Sequence, residues 1–312
     1  MSRTERFLAT ARFDELRDIR AHEPHRIAEA HAARRRRPLL SDAGRLFIVA
    51  ADHPARGALG VGDEGLAMAD RYDLLDRLAL ALSRPGVDGV LGTPDIIDDL
   101  ALLGALDGKV VVGSMNRGGL RGATFEYDDR FTAYDIPSIV RDGLDFAKTL
   151  LRVNLADPGT ADTLQSNARA VSEAAEARIP IMLEPFMSRW VDGVATNVLD
   201  ADSVITSVAI AAGLGDSSAY TWMKLPVVDD MERVMAATTL PTLLLGGDRA
   251  TDPDATYAAW ERALLLPGVR GLVVGRTLIY PPDGDVAAAV DTAADLVHAP
   301  HQPDRSESRE YA

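Results

Sequence analysis

The chain has 312 residues, no cysteine and a net charge of −14, and 47% of its residues are hydrophobic. This length accommodates two average domains or one large α/β barrel, and the acidic charge argues against nucleic-acid binding because a phosphate backbone would be repelled. No apolar run reaches the roughly 18 residues that a membrane span needs, and the N-terminus lacks a signal peptide's features, so a cytoplasmic, disulfide-free protein is expected.

Short apolar runs alternate with longer amphipathic segments along the chain. Residues 1–44 are predicted to form a helical extension that packs on the main domain. Its arginine run, 34–37, is expected to be the solvated end of a helix. Eight runs of strand character follow, each with a helical stretch behind it: 46–51, 87–92, 109–114, 150–155, 179–184, 220–225, 240–247 and 269–275.

This alternation of strand and helix predicts a parallel sheet, and eight such units match a (β/α)₈ TIM barrel in number and length. A doubly wound open sheet is the alternative, but the first strand is not followed by a glycine-rich dinucleotide turn. We therefore expect a barrel over residues 45–298. The polar segment 299–312 is expected to be a disordered tail.

In such a barrel the active site lies at the C-terminal ends of the strands. The sixth run carries Lys224, one of only three lysines in a chain with 30 arginines. Burial favours the neutral amine of a lysine, which is the form that attacks a carbonyl to make a Schiff base. The alternative is a lysine that pairs with Asp52 or Glu184 for structure alone. Catalysis is favoured because buried lysines are rare.

Two carboxylates accompany this lysine at the strand ends. Asp52 follows the first strand and Glu184 ends the fifth. Schiff-base chemistry needs a general acid/base to dehydrate the carbinolamine and to move hydroxyl protons, so both are candidate catalytic residues. The alternatives are an Asp52 that caps the following loop and a Glu184 that pairs with Arg152 of the fourth strand.

Glycines end the last two strands, at Gly246, Gly247 and Gly275, and Arg276 follows. Glycine lets backbone N–H groups approach an anion, and barrels commonly bind phosphate at these two strand ends. The four residues are therefore a candidate phosphate site, although tight turns would also explain the glycines. Only one of the six histidines, His53, lies among the strands, so neither a metal ion nor another cofactor is expected.

Five segments carry a resemblance to a known family: "AADHPARG", "IMLEPF", "YTWMKLPV", "LLLGG" and "GLVVGRTLIY". In this order they resemble the class I (Schiff-base) aldolases, in particular the archaeal-type fructose-bisphosphate and tagatose-bisphosphate branches. The resemblance implies that Lys224 forms the Schiff base, that Glu184 is the acid/base and that Asp52 is the strand-1 aspartate. It also implies that the strand-end glycines and Arg276 bind phosphate. The chain departs from the family's "DHG" with Asp52-His53-Pro54.

The loop "NRGGLRGATFEYDDRF" after the third strand resembles an aldolase-like subgroup associated with inositol catabolism. That resemblance implies cleavage of 2-deoxy-5-keto-gluconate 6-phosphate to dihydroxyacetone phosphate and malonate semialdehyde. A homo-oligomer that binds a small phosphorylated sugar is expected. Arg117 and Arg121 of this loop, with Arg152, are candidate substrate-binding residues, and the loop arginines are equally well explained as solvated. The alternatives are a deoxyribose-phosphate-type aldolase, a transaldolase, a thiolase-like relative, or a sugar-phosphate-binding protein without catalysis.

Overall fold

The fold is an eight-stranded parallel barrel surrounded by helices, which confirms the predicted (β/α)₈ architecture. It is seen in a computed structural model that describes residues 6–40, 43–116, 118–246 and 252–299. The strands are β1 (Leu46–Ala50), β2 (Gly89–Gly92), β3 (Val110–Ser114), β4 (Phe146–Val153), β5 (Ile181–Val191), β6 (Val194–Asn197), β7 (Thr221–Pro226), β8 (Thr242–Leu245) and β9 (Val269–Val274). All except β6 belong to the barrel, in the ring order β1-β2-β3-β4-β5-β7-β8-β9.

The helices cover the outside of this ring. They are α1 (Thr10–His22), α2 (Arg26–Ala33), α3 (Arg71–Ser83), α4 (Pro94–Leu102), α5 (Ile136–Arg141), α6 (Gly159–Ala177), α7 (Ala201–Ala212), α8 (Met231–Ala236), α9 (Pro253–Leu264), α10 (Arg276–Ile279) and α11 (Val286–His298). Aspartates at 70, 135, 200, 252 and 285 accept backbone N–H bonds at the starts of five of them. No helix among the described residues is long and apolar enough to cross a membrane.

Each strand is apolar on both faces because each face packs against a different layer. In β1, Leu46 and Ile48 belong to the core inside the barrel, whereas Phe47 and Val49 pack towards the helices. Successive side chains of a strand point to opposite faces, so every second residue enters the lumen. Polar residues that lie an even number of positions from these inner apolar residues therefore also face the lumen.

The arginine run closes the bottom of the barrel, so the prediction of a solvated helix end is wrong for part of it. Helix α2 ends at Ala33, and Arg34 beyond it has a side chain only 3% exposed that forms an ion pair with Asp145 at 3.0 Å. Arg37 pairs with Asp88 at 2.5 Å in the same region. These carboxylates precede β4 and β2, so the run is held at the N-terminal ends of the strands.

Two features differ from the predicted strands. Strand β4 begins at Phe146 rather than at residue 150, which brings Lys148 into the barrel wall. Strand β5 continues past the barrel and forms an antiparallel hairpin with β6. Its turn has two residues with positive φ, Asp192 at 50° and Gly193 at 76°, a conformation that Asp-Gly turns favour between antiparallel strands. Residues 300–312 of the predicted tail lie outside the described residues.

Candidate active site

A cavity of about 820 Å³ opens at the C-terminal ends of the strands, where the sequence predicts the active site. Among the described residues that line it, six are basic and four are acidic, although the whole chain is strongly acidic. This local excess of positive charge favours an anionic ligand. The charged lining residues are Asp52, Arg56, Arg121, Glu126, Lys148, Arg152, Glu184, Lys224, Asp252 and Arg276.

Two lysines and two carboxylates form a continuous chain of ion pairs in this cavity. Lys224 Nζ donates to Glu184 Oε1 at 2.8 Å, and Lys148 Nζ lies 2.5 Å from Glu184 Oε2. Lys148 also donates to Asp52 Oδ2 at 3.1 Å, and the hydroxyl of Ser114 donates to the same oxygen at 3.0 Å. All four charged residues are at least 90% buried. The sequence-predicted catalytic residues Lys224, Glu184 and Asp52 are therefore brought together, with Lys148 between the carboxylates.

Strand alternation explains why these side chains meet. Met182 and Trp222 belong to the core inside the barrel, so Glu184 and Lys224, two residues later, also face the lumen. Lys148 follows Phe146 of the same core in the same way. Phe146 and Trp222 are in edge-to-face contact with ring centroids 5.4 Å apart, so Lys148 and Lys224, each two residues later, lie in the same layer of the barrel.

The two lysines control the ionisation of Glu184. Burial acts to raise the pKa of this carboxyl, but the positive charges of Lys148 and Lys224 and their hydrogen bonds outweigh it. The pKa of Glu184 is held well below its usual range, so the resting site contains a carboxylate. A carboxylate held in this way becomes a better base when one of its cations loses its charge.

His53 borders the same cluster as an uncharged group. Its Nδ1 lies 3.8 Å from Asp52 Oδ1, too far for a hydrogen bond. Burial is the main cause that holds the pKa of His53 well below its usual range, and the charges of Arg276 and Lys224 act in the same direction. The imidazole is neutral at physiological pH and adds no charge to the cavity.

The predicted phosphate residues lie on one side of the mouth. Gly246 and Gly275 follow β8 and β9 and line the cavity together with Arg276. The chain passes β1 so closely here that a Cβ on Gly275 would lie 2.5 Å from the carbonyl oxygen of Ala50. Arg276 Nη1 donates to the carbonyl of Gly60 in the β1 loop at 3.4 Å. Gly247 lies outside the described residues.

Arg152 lies on the other side of the mouth, because β4 and β9 are four strands apart in a ring of eight. Its guanidinium donates to Glu126 Oε1 at 2.5 Å and to the carbonyl of the same residue at 2.8 Å, and lies 3.8 Å from Asp129 Oδ2. The alternative pairing of Arg152 with Glu184 is therefore not formed. Substrate binding by Arg152 stays a prediction, as does binding by Arg117, which lies outside the described residues.

Four charged residues of the cavity were not singled out from the sequence: Lys148, Arg56, Glu126 and Asp252, the last of which caps α9. Lys148 could have been predicted from strand alternation, since it lies four residues before Arg152 in "FAKTLLRV" and therefore on the same face of the strand. Arg56 lies in a 3₁₀ turn after β1, and Glu126 lies in the long loop after β3. In such segments the spacing of apolar residues does not indicate which side chains are buried. The sequence carries no comparable signal for these two.

Comparisons with known proteins agree with this architecture. The sequence profile of the Cgl0159-like family matches residues 44–294. The crystal structure of Cgl0159 from Corynebacterium glutamicum is similar, at 68% sequence identity and a TM-score of 0.93, over 94% of this chain and 99% of that one. A search of curated proteins found no significant match.

More distant structures share the fold. An archaeal fructose 1,6-bisphosphate aldolase has a TM-score of 0.59 at 20% identity, over 87% of this chain and 98% of that one. A fructose-bisphosphate aldolase from Slackia heliotrinireducens has a TM-score of 0.57 at 15% identity, over 88% and 91%. At this level of identity the similarity establishes the barrel fold, in agreement with the sequence resemblance.

Proposed function

This chain belongs to the Cgl0159-like family, and we propose that it is a class I aldolase, which cleaves or forms a C–C bond in a phosphorylated keto sugar or keto sugar acid. The observation that carries the proposal is a buried lysine, Lys224, in hydrogen-bond contact with a carboxylate at the mouth of a barrel cavity. An amine and a proton-transfer group in contact are the elements that Schiff-base catalysis requires.

The reaction begins with nucleophilic addition. The neutral amine of Lys224 adds to the substrate ketone and forms a carbinolamine. A proton delivered to the carbinolamine hydroxyl lets it leave as water, and an iminium ion remains on Lys224. Glu184, 2.8 Å from the lysine nitrogen, accepts the amine's proton and returns it for this dehydration.

Bond cleavage uses the iminium as the electron sink. The electron pair of the C–C bond moves towards the iminium nitrogen, and the hydroxyl proton on the departing carbon passes to Glu184. An aldehyde leaves, and an enamine remains on Lys224. Protonation of the enamine carbon and hydrolysis then release the ketone product and the free lysine. In the direction of synthesis the same steps run in reverse.

Lys148 and Asp52 support this proton transfer. Lys148 contacts Glu184 and Asp52 at once, so it fixes the position of both carboxylates. Deprotonation of Lys224 removes one of the two cations that depress the pKa of Glu184. The carboxylate thereby becomes a stronger base at the moment when the amine becomes a nucleophile.

The phosphate of the substrate is assigned in this proposal to Gly246, Gly247, Gly275 and Arg276. The fragment retained on Lys224 is then similar to dihydroxyacetone phosphate. The inositol route, with 2-deoxy-5-keto-gluconate 6-phosphate as substrate and malonate semialdehyde as the aldehyde product, is the specific form of the proposal that the loop after β3 supports.

Reductive trapping tests the proposal. The protein is incubated with dihydroxyacetone phosphate, reduced with borohydride and digested after lysine. With only three lysines, digestion gives fragments 1–109, 110–148, 149–224 and 225–312. An adduct on Lys224 blocks one cleavage and yields the fused fragment 149–312. An adduct on Lys148 instead yields the fused fragment 110–224. That result would show that the nucleophile is Lys148 on β4, and it would favour a different type of Schiff-base enzyme.

Two variants complete this test. Lys224→Met is expected to abolish trapping and cleavage while the barrel remains folded by circular dichroism. Lys109→Met, which changes the lysine outside the cavity, is expected to retain trapping at Lys224. Absence of any adduct with a panel of keto-sugar phosphates would refute the Schiff-base mechanism and favour a protein that binds sugar phosphates without cleaving them.

A further inference from the structure

One proton transfer of the aldolase reaction takes place at carbon. The enamine on Lys224 gains a proton at the carbon next to its nitrogen-bearing carbon, and in the direction of synthesis the same carbon loses one. Glu184 contacts Lys224 Nζ at 2.8 Å and serves the protons of that nitrogen and of the substrate hydroxyl. Acid–base catalysis at the carbon requires a further side chain within reach, one whose proton-accepting atom is not occupied by the protein.

Most acid/base groups of the cavity are engaged by the protein itself. Among the described lining residues, each carboxylate is held by a cation, a hydroxyl or a backbone N–H group: Asp52 by Lys148 and Ser114, Glu126 by Arg152, Glu184 by Lys148 and Lys224, and Asp252 by Ala255. The two lysines are in turn bound to these carboxylates. The described lining contains no tyrosine, so His53 is its remaining acid/base group.

The imidazole of His53 has one nitrogen in the protein and the other at the cavity. Nδ1 is buried and makes no hydrogen bond with a described residue, and it lies 3.8 Å from Asp52 Oδ1. A carboxylate on this side favours the tautomer that carries its proton on Nδ1, so Nε2 has the free lone pair. The side chain lines the cavity and is 25% exposed, and because Nδ1 is buried, the exposed part of the ring is its Nε2 edge.

His53 lies across the barrel from Glu184. His53 follows β1, and β1 and β5 are four strands apart in the ring of eight. Its ring also packs against the turn that begins the phosphate residues after β9, since a Cβ on Gly275 would come within 3.4 Å of His53 Cε1. A fragment that joins Lys224 to the phosphate residues therefore has Glu184 on one side and His53 on the other.

The bound substrate makes His53 a stronger base than it is in the resting site. Burial is the main cause that holds the pKa of His53 well below its usual range, and the positive charges of Arg276 and Lys224 follow. A substrate phosphate on Arg276 compensates the first of these charges. Loss of the proton from carbon converts the cationic iminium on Lys224 into a neutral enamine and so removes the second. The transfer moves one positive charge from Lys224 to His53 and creates none.

We propose that His53 Nε2 is the catalytic base and acid at the carbon next to the iminium. The proposal rests on the proposed aldolase function and adds to it the residue that handles this proton. In the direction of synthesis the C–H bond breaks, its electron pair forms the C=C bond of the enamine, and the C=N π pair returns to nitrogen. The proton moves to Nε2. In the direction of cleavage the imidazolium gives a proton to the enamine carbon, and water restores it.

Hydrogen exchange of dihydroxyacetone phosphate in D₂O isolates this step, because exchange needs the Schiff base and the carbon base but no aldehyde. Replacement of hydrogen on the hydroxymethyl carbon is followed by NMR, beside borohydride trapping on Lys224. His53→Gln keeps a hydrogen-bonding side chain that cannot carry the proton. It is expected to trap as wild type does and to exchange at least about 100-fold more slowly. A His53→Gln that traps and exchanges at the wild-type rate would overturn the proposal.

Chemical rescue separates loss of a base from loss of structure. His53→Ala leaves space at the cavity wall, and imidazole in the buffer is expected to restore part of its exchange. Imidazole is expected to restore none to Lys224→Met, which forms no Schiff base. Slow exchange that imidazole does not restore in a folded, trapping His53→Ala would show that His53 only positions other groups. His22→Gln is the matched control, since His22 is an exposed histidine of α1, and it is expected to leave exchange unchanged.

The two readouts also separate this proposal from the aldolase function. Trapping on Lys224 together with exchange that both His53 variants retain would keep the aldolase and remove the role of His53. A wild-type protein that neither traps nor exchanges dihydroxyacetone phosphate would remove the aldolase function itself, and the role of His53 with it.

Discussion

Replacing Lys148 by methionine is expected to destabilise the fold substantially, because this lysine is the only described cation that contacts both Asp52 and Glu184. Removing one partner of a buried ion pair costs about 3–5 kcal/mol, since a charge is left without compensation. For a chain of 312 residues the entropy of unfolding is about 0.65 kcal/mol per kelvin, so this loss lowers the melting temperature by about 5–8 °C. Methionine keeps the length of the side chain, so the cost reports mainly on charge.

The assay is thermal unfolding, followed by circular dichroism and supported by urea unfolding at pH 7. Lys109→Met is the matched control, because Lys109 donates a single hydrogen bond to a carbonyl, that of Val87, and its loss costs about 1 kcal/mol. The melting temperature of Lys224→Met is expected to lie between those of Lys148→Met and Lys109→Met, since Glu184 then still pairs with Lys148. A melting temperature of Lys148→Met within 1–2 °C of wild type, in the range expected of the control, would contradict the assignment of Lys148 as the central cation.

The pH dependence of the same variant follows from the depressed pKa of Glu184. A carboxyl whose pKa is lowered by folding stabilises the fold above its ordinary value of about 4.5, and this contribution disappears as the pH falls through the lowered value. Loss of Lys148 reduces the depression and with it the contribution. The difference in stability between wild type and Lys148→Met is therefore expected to be largest near neutral pH and to shrink below about pH 4.5. A difference that stays constant down to pH 3 would contradict this cause.

Three further predictions concern the bottom and the mouth of the barrel. Pairing with Asp88 is the main cause that raises the pKa of His298. The stability that this pair adds is therefore present below the ordinary pKa of about 6.5 and is lost as the pH rises through the raised pKa. In urea unfolding from pH 5 to 9, His298→Gln should remove this pH dependence. Asp145→Asn leaves the buried Arg34 without its carboxylate and should cost about 3–5 kcal/mol in the same assay, whereas a cost below 1 kcal/mol would show that the pair is dispensable. Gly275→Ala sets a Cβ against the last carbonyl of β1 and should lower both the melting temperature and the affinity for glycerol 3-phosphate; unchanged values would show that β9 can shift without consequence.

The sequence predicts the barrel because all eight strands are buried on both faces, which leaves apolar runs that stand out between amphipathic helices. Strand β4 is the exception. The early part of β4 contains Lys148 at a lumen position, so its continuous apolar run begins later than the strand does. Lys148 itself interrupts the apolar run from which the strand would be recognised.

The residues of the candidate site likewise differ in whether the sequence predicts them. Asp52, Glu184 and Lys224 could be identified because they end or interrupt strands, and strand ends converge in a barrel. Arg56 and Glu126 lie in loops, where local sequence does not determine which side chains become buried. Likewise, the arginine run 34–37 has the composition of a solvated segment, and only its partners Asp88 and Asp145 make it part of the interior.

The hairpin of β5 and β6 determines how the cavity mouth can change over evolution. It is anchored close to its turn, because Trp190 Nε1 donates to Asp157 at 2.7 Å, and Ala195, which pairs with Trp190, lines the cavity. Its tip, Asp192-Gly193, is exposed. Insertions at the tip would therefore extend the hairpin without disturbing the barrel hydrogen bonds, whereas changes along β6, which lines the cavity, would reshape the cavity wall. Growth at the hairpin tip would therefore change the mouth of the cavity while Lys148 and Lys224 stay in place.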